Sequence, residues 1–380
     1  MKKVLFITTI SGFLPQFERN DVRLLKEMGC EIHYASNFSN PVYHFDVEKL
    51  KDDKIRIHHI NIEKSPLKIR KNVSAIRQLA SIIDENKIDM IHCHNPMGGV
   101  AGRLAACFCK RKPYVIYTAH GFHFYKGAPI LNWFLFFPIE YMLAMLTDQL
   151  ITINREDYKL AKKFPLRSKD GVTLIHSVGV DKKRFFPQKE IRELKRQELN
   201  VPKNAFHIVT VAELNVNKNQ KVIIEALAKI NNKDIYYSIC GKGNNEKQLN
   251  ELIYKYKLED RVRLLGYRTD VAEILQTADC FAFPSFREGL GVAAIEALLC
   301  NVPLIVADNR GTREYSINGV NSIVCKPGAV DEFAEAIEVL YRDSAKRTKM
   351  TLRYRKTAEK FAIENVEKTM KEVYTKWINH

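Results

Sequence analysis

The chain of 380 residues has no CxxC pair; its eight cysteines (30, 93, 107, 109, 240, 280, 300 and 325) are scattered, and only Cys107 and Cys109 stand close together. That pattern excludes a zinc ribbon and a disulfide framework. Several cysteines sit in apolar runs, Cys240 and Cys280 among them, where a reduced thiol packs as a small core residue. A reducing cytoplasm is the expected compartment. Long uninterrupted apolar runs are also missing. The opening MKKVLFITTI is short, β-branched and followed by a turn, so it predicts a first buried strand and not a signal peptide. Residues 128–146 include Pro129, Asn132, Pro138 and Glu140, which a hydrocarbon core does not tolerate together, so no bilayer span is expected there. Repeats of 20–50 residues, low-complexity tracts and nucleic-acid-binding motifs are absent.

Acidic residues are in short supply. There are 60 Lys+Arg against 44 Asp+Glu, a net charge of +16. Residues 1–185 carry 29 Lys+Arg against 18 Asp+Glu, so the first half is the basic half. Such an excess suits an anionic membrane surface, a phosphorylated substrate or nucleic acid, and equally a solvated lysine-rich surface.

What the chain does have is alternation. In the first half, short β-branched runs recur at 4–9, 31–36, 54–60, 88–93, 114–119, 149–153 and 172–177, separated by helix-like stretches. A second series follows at 206–212, 235–240, 261–266, 280–285, 303–308 and 322–326. Strands alternating with helices predict parallel sheets built from βαβ units. The expected fold is α/β, with two Rossmann-like doubly wound domains whose strand ends face a central cleft. The polar stretch 181–204, with Pro187 and Pro202, reads as the linker. Domains are expected at 1–185 and 186–360, with 361–380 a helix packing back on the first.

The richest loop is Pro284-Ser285-Phe286-Arg287-Glu288-Gly289-Leu290-Gly291, which leaves a buried strand and opens a helix near Gly291. Free amides at a helix start, with the dipole behind them, bind phosphate or diphosphate, and the glycines allow close approach. Glu288 and Glu296 are eight residues apart, about two helical turns, which lets both project to one side. A carboxylate suits a pair of vicinal hydroxyls, so Glu296 can hold a ribose and Glu288 a sugar. Read alone, the same two residues also fit a helix-start charge and a solvated one.

This segment, with the run EALLCNVPLIVADNRGTRE (296–314) after it, closely resembles the E-x7-E motif of retaining glycosyltransferases of family 4, which have the GT-B fold. The likeness spans nearly the whole chain, and the stretch Thr118-Ala119-His120-Gly121-Phe122-His123-Phe124-Tyr125 resembles the subgroup that builds bacterial surface polysaccharides. The resemblance implies that Glu288 binds donor-sugar hydroxyls, that the amides of Gly289, Leu290 and Gly291 bind the distal phosphate, and that Glu296 binds the ribose diol. Lys218 matches the family's basic residue on the diphosphate; the Arg usual five residues earlier is Glu213 here, so Arg287 or Lys242 is a candidate substitute. Gly12 matches a glycine-bearing loop near the diphosphate, where only one of two usual glycines is present. Arg268, in Gly266-Tyr267-Arg268, falls on the edge where main-chain groups read the nucleobase. His120 matches the histidine at the reaction centre, with Glu288 its catalytic companion. His94, Asn95 and His123 are expected on the acceptor side, and no carboxylate is seen near His92 and His94 to make a metal site.

The activity implied is retaining transfer of a hexose or N-acetylhexosamine from a nucleotide sugar, UDP-linked by preference. The implied acceptor is a glycan or a polyprenyl-diphosphate-linked saccharide, and no metal or other cofactor is expected. The aromatic stretch 126–138 admits two readings, a core helix under the cleft or a surface that docks on the inner face of the cell membrane. Two rival functions remain at this point: a UDP-sugar epimerase, which needs no acceptor, and a basic non-catalytic binding module.

Overall fold

A computed structural model of the chain describes residues 1–39, 46–176, 179–351 and 354–379. It divides into two compact units, Met1–Val178 with Glu364–His380, and Gly179–Ile363. The division at 178/179 lies just ahead of the stretch 181–204 read as the linker, and helix Ile363–Ile378 belongs to the first unit from Glu364 onward.

The first unit is a parallel sheet of seven strands: β1 (Lys3–Ile7), β2 (Glu31–Ser36), β3 (Arg56–His59), β4 (Met90–His94), β5 (Tyr114–Ala119), β6 (Gln149–Thr152) and β7 (Val172–Leu174). Their spatial order is β3-β2-β1-β4-β5-β6-β7. The second unit repeats the plan with β8 (Phe206–Val211), β9 (Ile235–Cys240), β10 (Val262–Gly266), β11 (Cys280–Phe283), β12 (Leu304–Ala307) and β13 (Ser322–Cys325), in the order β10-β9-β8-β11-β12-β13. The central strands are buried almost end to end, the polar His92, His94 and His207 included, as expected where helices cover both faces. In β1, Val4 to Ile7 are fully buried, as are Cys280 to Ala282 in β11.

Each order reverses once, at β1/β4 and at β8/β11, and the loops leaving those strands flank the switch point where doubly wound sheets take ligands. In the first unit the joint is tight. A Cβ on Gly98 would lie 3.2 Å from the carbonyl oxygen of Ile7, and one on Gly99 would lie 2.5 Å from the Tyr117 ring. Helix Pro96–Phe108 therefore sits directly on the sheet. Asn95, at φ 62°, accepts from the amide and hydroxyl of Thr9 at 3.3 Å each, joining the loops after β1 and β4.

Seven of the eight cysteines are buried and all are free. Among the described residues no helix is long and apolar enough to cross a membrane.

Candidate functional site

In the second unit, the loop after β8 is built from asparagines. Asn215 accepts from the Lys218 amide and caps the single turn Val216–Lys218, and Asn219 ends it at φ 51°. Asn217 donates to the Arg287 carbonyl (2.9 Å) and accepts from the Phe286 amide (2.8 Å). These bonds fasten the loop after β8 to the loop after β11. They bring Lys218 Nζ to 2.6 Å from Glu288 Oε1, with Glu288 almost wholly buried. The lysine also lies 5.5 Å from the Phe283 ring centre.

Helix Val292–Leu299 starts after Gly291, whose φ of 92° only glycine adopts easily. A Cβ there would meet Phe283 at 2.5 Å and the Tyr315 hydroxyl at 2.8 Å. No side chain caps this helix; the Ala294 amide bonds the Gly291 carbonyl, and no side chain competes with a ligand for the amides ahead of it. The hydroxyls of Ser285 and Tyr315 are buried without a hydrogen-bond partner, and an orphaned buried polar group calls for one. Glu288 lies in the loop, not on the helix, so the eight-residue interval to Glu296 is not two helical turns as the spacing suggested. Glu296 does lie on the helix, and burial pushes its carboxyl up to about 7 while Arg184 draws it down.

The loop after β12 closes in behind. Asn309 donates to the Ser285 carbonyl (2.9 Å), and a Cβ on Gly311 would lie 2.8 Å from that of Glu288. Arg310 Nε donates to the Glu288 carbonyl at 3.4 Å. Arg287 and Lys242, the candidate substitutes for the missing arginine, are both exposed; the cation that the fold sets against Glu288, besides Lys218, is the buried Arg310. Tyr315 and Arg310 were not singled out from the sequence, although both lie in or beside the run 296–314. The Arg268 guanidinium is engaged by Asp270 at 2.5 Å and Glu198 at 2.7 Å, which leaves the main chain as what this edge offers.

In the first unit, His120 follows β5 and is partly exposed. His94 does not line a surface: it is fully buried and stands behind His120, with Nδ1 3.2 Å from His120 Nε2. Alternation along β4 puts His92 beside His94, ring centres 4.1 Å apart, and His92 is buried too. Glu18, at the joint between helices Phe13–Phe17 and Arg19–Glu27, brings Oε1 to 3.3 Å from His94 Nδ1. A carboxylate thus does stand beside the histidines, supplied by the loop after β1. Glu18, His94 and His120 each present one donor atom within 4.8 Å of the others, the one such trio among the described residues. Burial holds His120 down at about 4 and His92 at about 3. Gly12 precedes helix Phe13–Phe17 and borders a depression of about 840 Å³ lined also by Arg19, Arg23 and Lys26. Asn95 stays partly exposed at the end of β4. The His123 ring packs on Phe136 at 4.7 Å.

Residues 126–138 run into helix Ile130–Ala144, whose two sides differ. Glu140, Leu143 and Ala144 are buried, and Trp133, Phe136 and Phe137 pack on the core. The opposite stripe of Ile130, Leu131, Phe134, Leu135, Ile139, Tyr141, Met142 and Met145 is exposed, Phe134 to 75%. The helix is neither wholly core nor wholly surface.

Residues 191–360 match the family model described as glycosyl transferases group 1, and residues 3–154 match that of glycosyl transferase 4-like proteins. EpsD of Bacillus subtilis (strain 168), named a glycosyltransferase, is 37% identical over 383 residues, covering 100% of this chain and 97% of EpsD. The Escherichia coli UDP-Gal:α-D-GlcNAc-diphosphoundecaprenol α-1,3-galactosyltransferase is 28% identical over 75% of each chain. Among solved structures, Anabaena HepE in complex with UDP and glucose superposes with a TM-score of 0.81 at 20% identity, over 99% of this chain and 100% of HepE. These names give the epimerase and binding-module readings no support. Two α/β units of parallel sheet, the E-x7-E loop at the switch point of the second, and full-length similarity to EpsD together place this chain in glycosyltransferase family 4, with the GT-B fold.

Proposed function

We propose that this glycosyltransferase moves a hexose or N-acetylhexosamine from a UDP-sugar to a polyprenyl-diphosphate-linked saccharide or related glycan, with retention at the anomeric carbon and without a metal. The observation that carries the reading is the Lys218–Glu288 pair beside an uncapped helix start. There a diphosphate meets a cation and amide donors, and a sugar meets a carboxylate. The anomeric C–O bond to the diphosphate breaks and UDP leaves with the bonding electrons. The acceptor oxygen bonds the same carbon, and its proton passes to a leaving phosphate oxygen. Charge that grows on the diphosphate is met by Lys218 and the helix amides, and oxocarbenium character on the sugar by Glu288. His120 hydrogen-bonds the sugar or the acceptor hydroxyl. The preference for UDP is supported by the donor in the name of the Escherichia coli relative and by the UDP held by HepE.

Glu296 provides a direct test. In the free chain its carboxyl has a raised pKa of about 7, so it is protonated below that pH. A ribose diol donates two hydrogens and favours the ionised form. UDP affinity should therefore rise with pH through 7, about tenfold between pH 6 and pH 8, and then level off. Glu296→Gln should bind UDP weakly with no such slope. Calorimetric titration at pH 6, 7 and 8 checks this, and an identical slope in the variant rules out the ribose role.

The lipid-linked acceptor gives the exposed stripe of helix Ile130–Ala144 an occupant, the bilayer surface. Lys126 at the helix entrance and Lys162 and Lys163 beside Phe164, whose ring meets Phe137 and Tyr141, are exposed cations suited to anionic headgroups. Flotation with phosphatidylglycerol-containing vesicles should show binding. Leu131→Ser with Phe134→Ser should weaken it at least about tenfold, since each side chain contributes roughly 1.5 kcal/mol or more when buried. Unchanged flotation would remove the bilayer from the proposal.

A further inference from the structure

Beneath His120 runs a continuous chain of buried polar groups that the transfer reaction does not itself use. It starts at Thr118 Oγ1, 2.8 Å from His92 Nε2, and continues from His92 Nδ1 to the Tyr374 hydroxyl at 3.1 Å. Tyr374, on helix Ile363–Ile378, donates to Asp21 Oδ2 at 2.7 Å. The Asp21 carboxyl is hydrogen-bonded to that of Glu18, and Glu18 Oε1 faces His94 and then His120.

The protons in this chain can be placed. Two carboxyl groups in hydrogen-bond contact cannot both ionise in a buried site. Asp21 already accepts the phenol proton of Tyr374, so Asp21 is the anion and Glu18 the neutral acid that donates to it. Burial and the neighbouring Asp21 hold the Glu18 carboxyl well above its usual range. The oxygen Glu18 Oε1, which has no hydrogen-bond partner, is then a carbonyl-type acceptor. His94 decides the rest. Its Nε2 is buried without a partner, and a buried N–H without an acceptor is rarer than an acceptor without a donor. The proton of His94 is therefore on Nδ1, where its hydrogen-bond partner is His120 Nε2.

We propose that His94 is a positioning residue that fixes the proton of His120 on Nδ1, so that His120 offers its substrate a hydrogen-bond donor and no free base at Nε2. This rests on His120 facing the substrate, as argued above. The groups around the His120 ring are His94, Glu18 and Phe13, the last edge-on at 5.0 Å. The arrangement also argues against a metal in the trio: metal on His94 Nδ1 would force a proton onto Nε2, where nothing receives it.

The test reads the ligand-free full-length chain, so it does not depend on which sugar is transferred. In a ¹⁵N-histidine-labelled sample at pH 7, with His120→Ala to assign the signal, His120 should show protonated Nδ1 and unprotonated Nε2. His94→Phe, which keeps a ring between Phe6 and Phe13, should move the proton to Nε2. Glu18→Gln, a neutral group with an acceptor in the same place, should leave the wild-type pattern. If His94→Phe does not fold, the wild-type and Glu18→Gln spectra still decide. A His120 protonated on Nε2 in the wild type, or one metal ion per chain by mass spectrometry of the purified protein, overturns the proposal. With substrates in hand, His94→Phe should lower kcat about tenfold and leave the donor KM unchanged, as expected for one misdirected hydrogen bond.

Discussion

Glu288→Gln should lower kcat/KM for sugar transfer by about 10³-fold, or roughly 4 kcal/mol of transition-state stabilisation, while the protein melts within about 4 °C of the wild type. Gln fills the same space and still accepts hydrogen bonds, so the loop keeps its shape. Packing there depends on Gly311, Asn309 and the asparagines around Lys218 and not on the charge of residue 288. What goes is the carboxylate. In the proposed reaction it makes charge-assisted bonds to sugar hydroxyls that strengthen as positive character grows on the ring, and in the structure it holds Lys218 Nζ at 2.6 Å. Releasing that lysine moves the cation meant for the diphosphate.

Because the two side chains act as one unit, the double variant Glu288→Gln/Lys218→Met should lose little more than the worse single one. The donor is chosen beforehand by thermal shift over a panel of nucleotide sugars. Steady-state rates with that donor then decide: a Glu288→Gln enzyme that turns over at the wild-type rate would sink the assignment.

The sheets were legible because the code for them is local. Fully buried parallel strands show as apolar β-branched runs, and all thirteen runs read from the sequence became strands. Glu288, Lys218 and His120 were legible because they lie on the first loops after β11, β8 and β5, where short motifs carry them. Glu18 was not. It belongs to no motif, and its closeness to His94 arises only when β1 and β4 pair side by side. His94 was found but placed wrongly in depth: alternation fixes which face a strand residue occupies, not whether a helix covers that face. Tyr374 sits near the C-terminal end of the chain and reaches His92 through the docking of a single helix, which no sequence period records. Residues carried by loop motifs announce themselves in the sequence, whereas those that pack behind them are set by tertiary contact.

The same distinction governs Glu140, which in the sequence serves only to interrupt an apolar stretch. In the fold it turns inward and pairs with Arg103, Nη2 to Oε2 2.9 Å. Arg103 is 1% exposed, lies 4.0 Å from the Tyr117 ring centre, and donates through Nε to the Gly99 carbonyl at 2.8 Å. Glu140→Ala should therefore destabilise the first unit by about 3–5 kcal/mol, because it strands a buried guanidinium. For a unit of this size that is a fall of roughly 6–20 °C in its melting transition. Arg103→Met with Glu140→Leu should recover most of the loss, since an apolar pair of similar volume needs no compensating charge. Calorimetry that resolves the two units' transitions checks it; a Glu140→Ala melt within 2 °C of wild type would show that the pair contributes nothing. The coupling reaches function through the helix that carries Glu140. Its buried side is anchored by this ion pair, by aromatic contacts and by the bonds Asn132 and Trp133 donate to the His123 and Tyr125 carbonyls, and its outer stripe is the face proposed to meet the bilayer. Glu140→Ala should thus also weaken vesicle flotation, whereas the Met/Leu pair, with the helix seated again, should restore it.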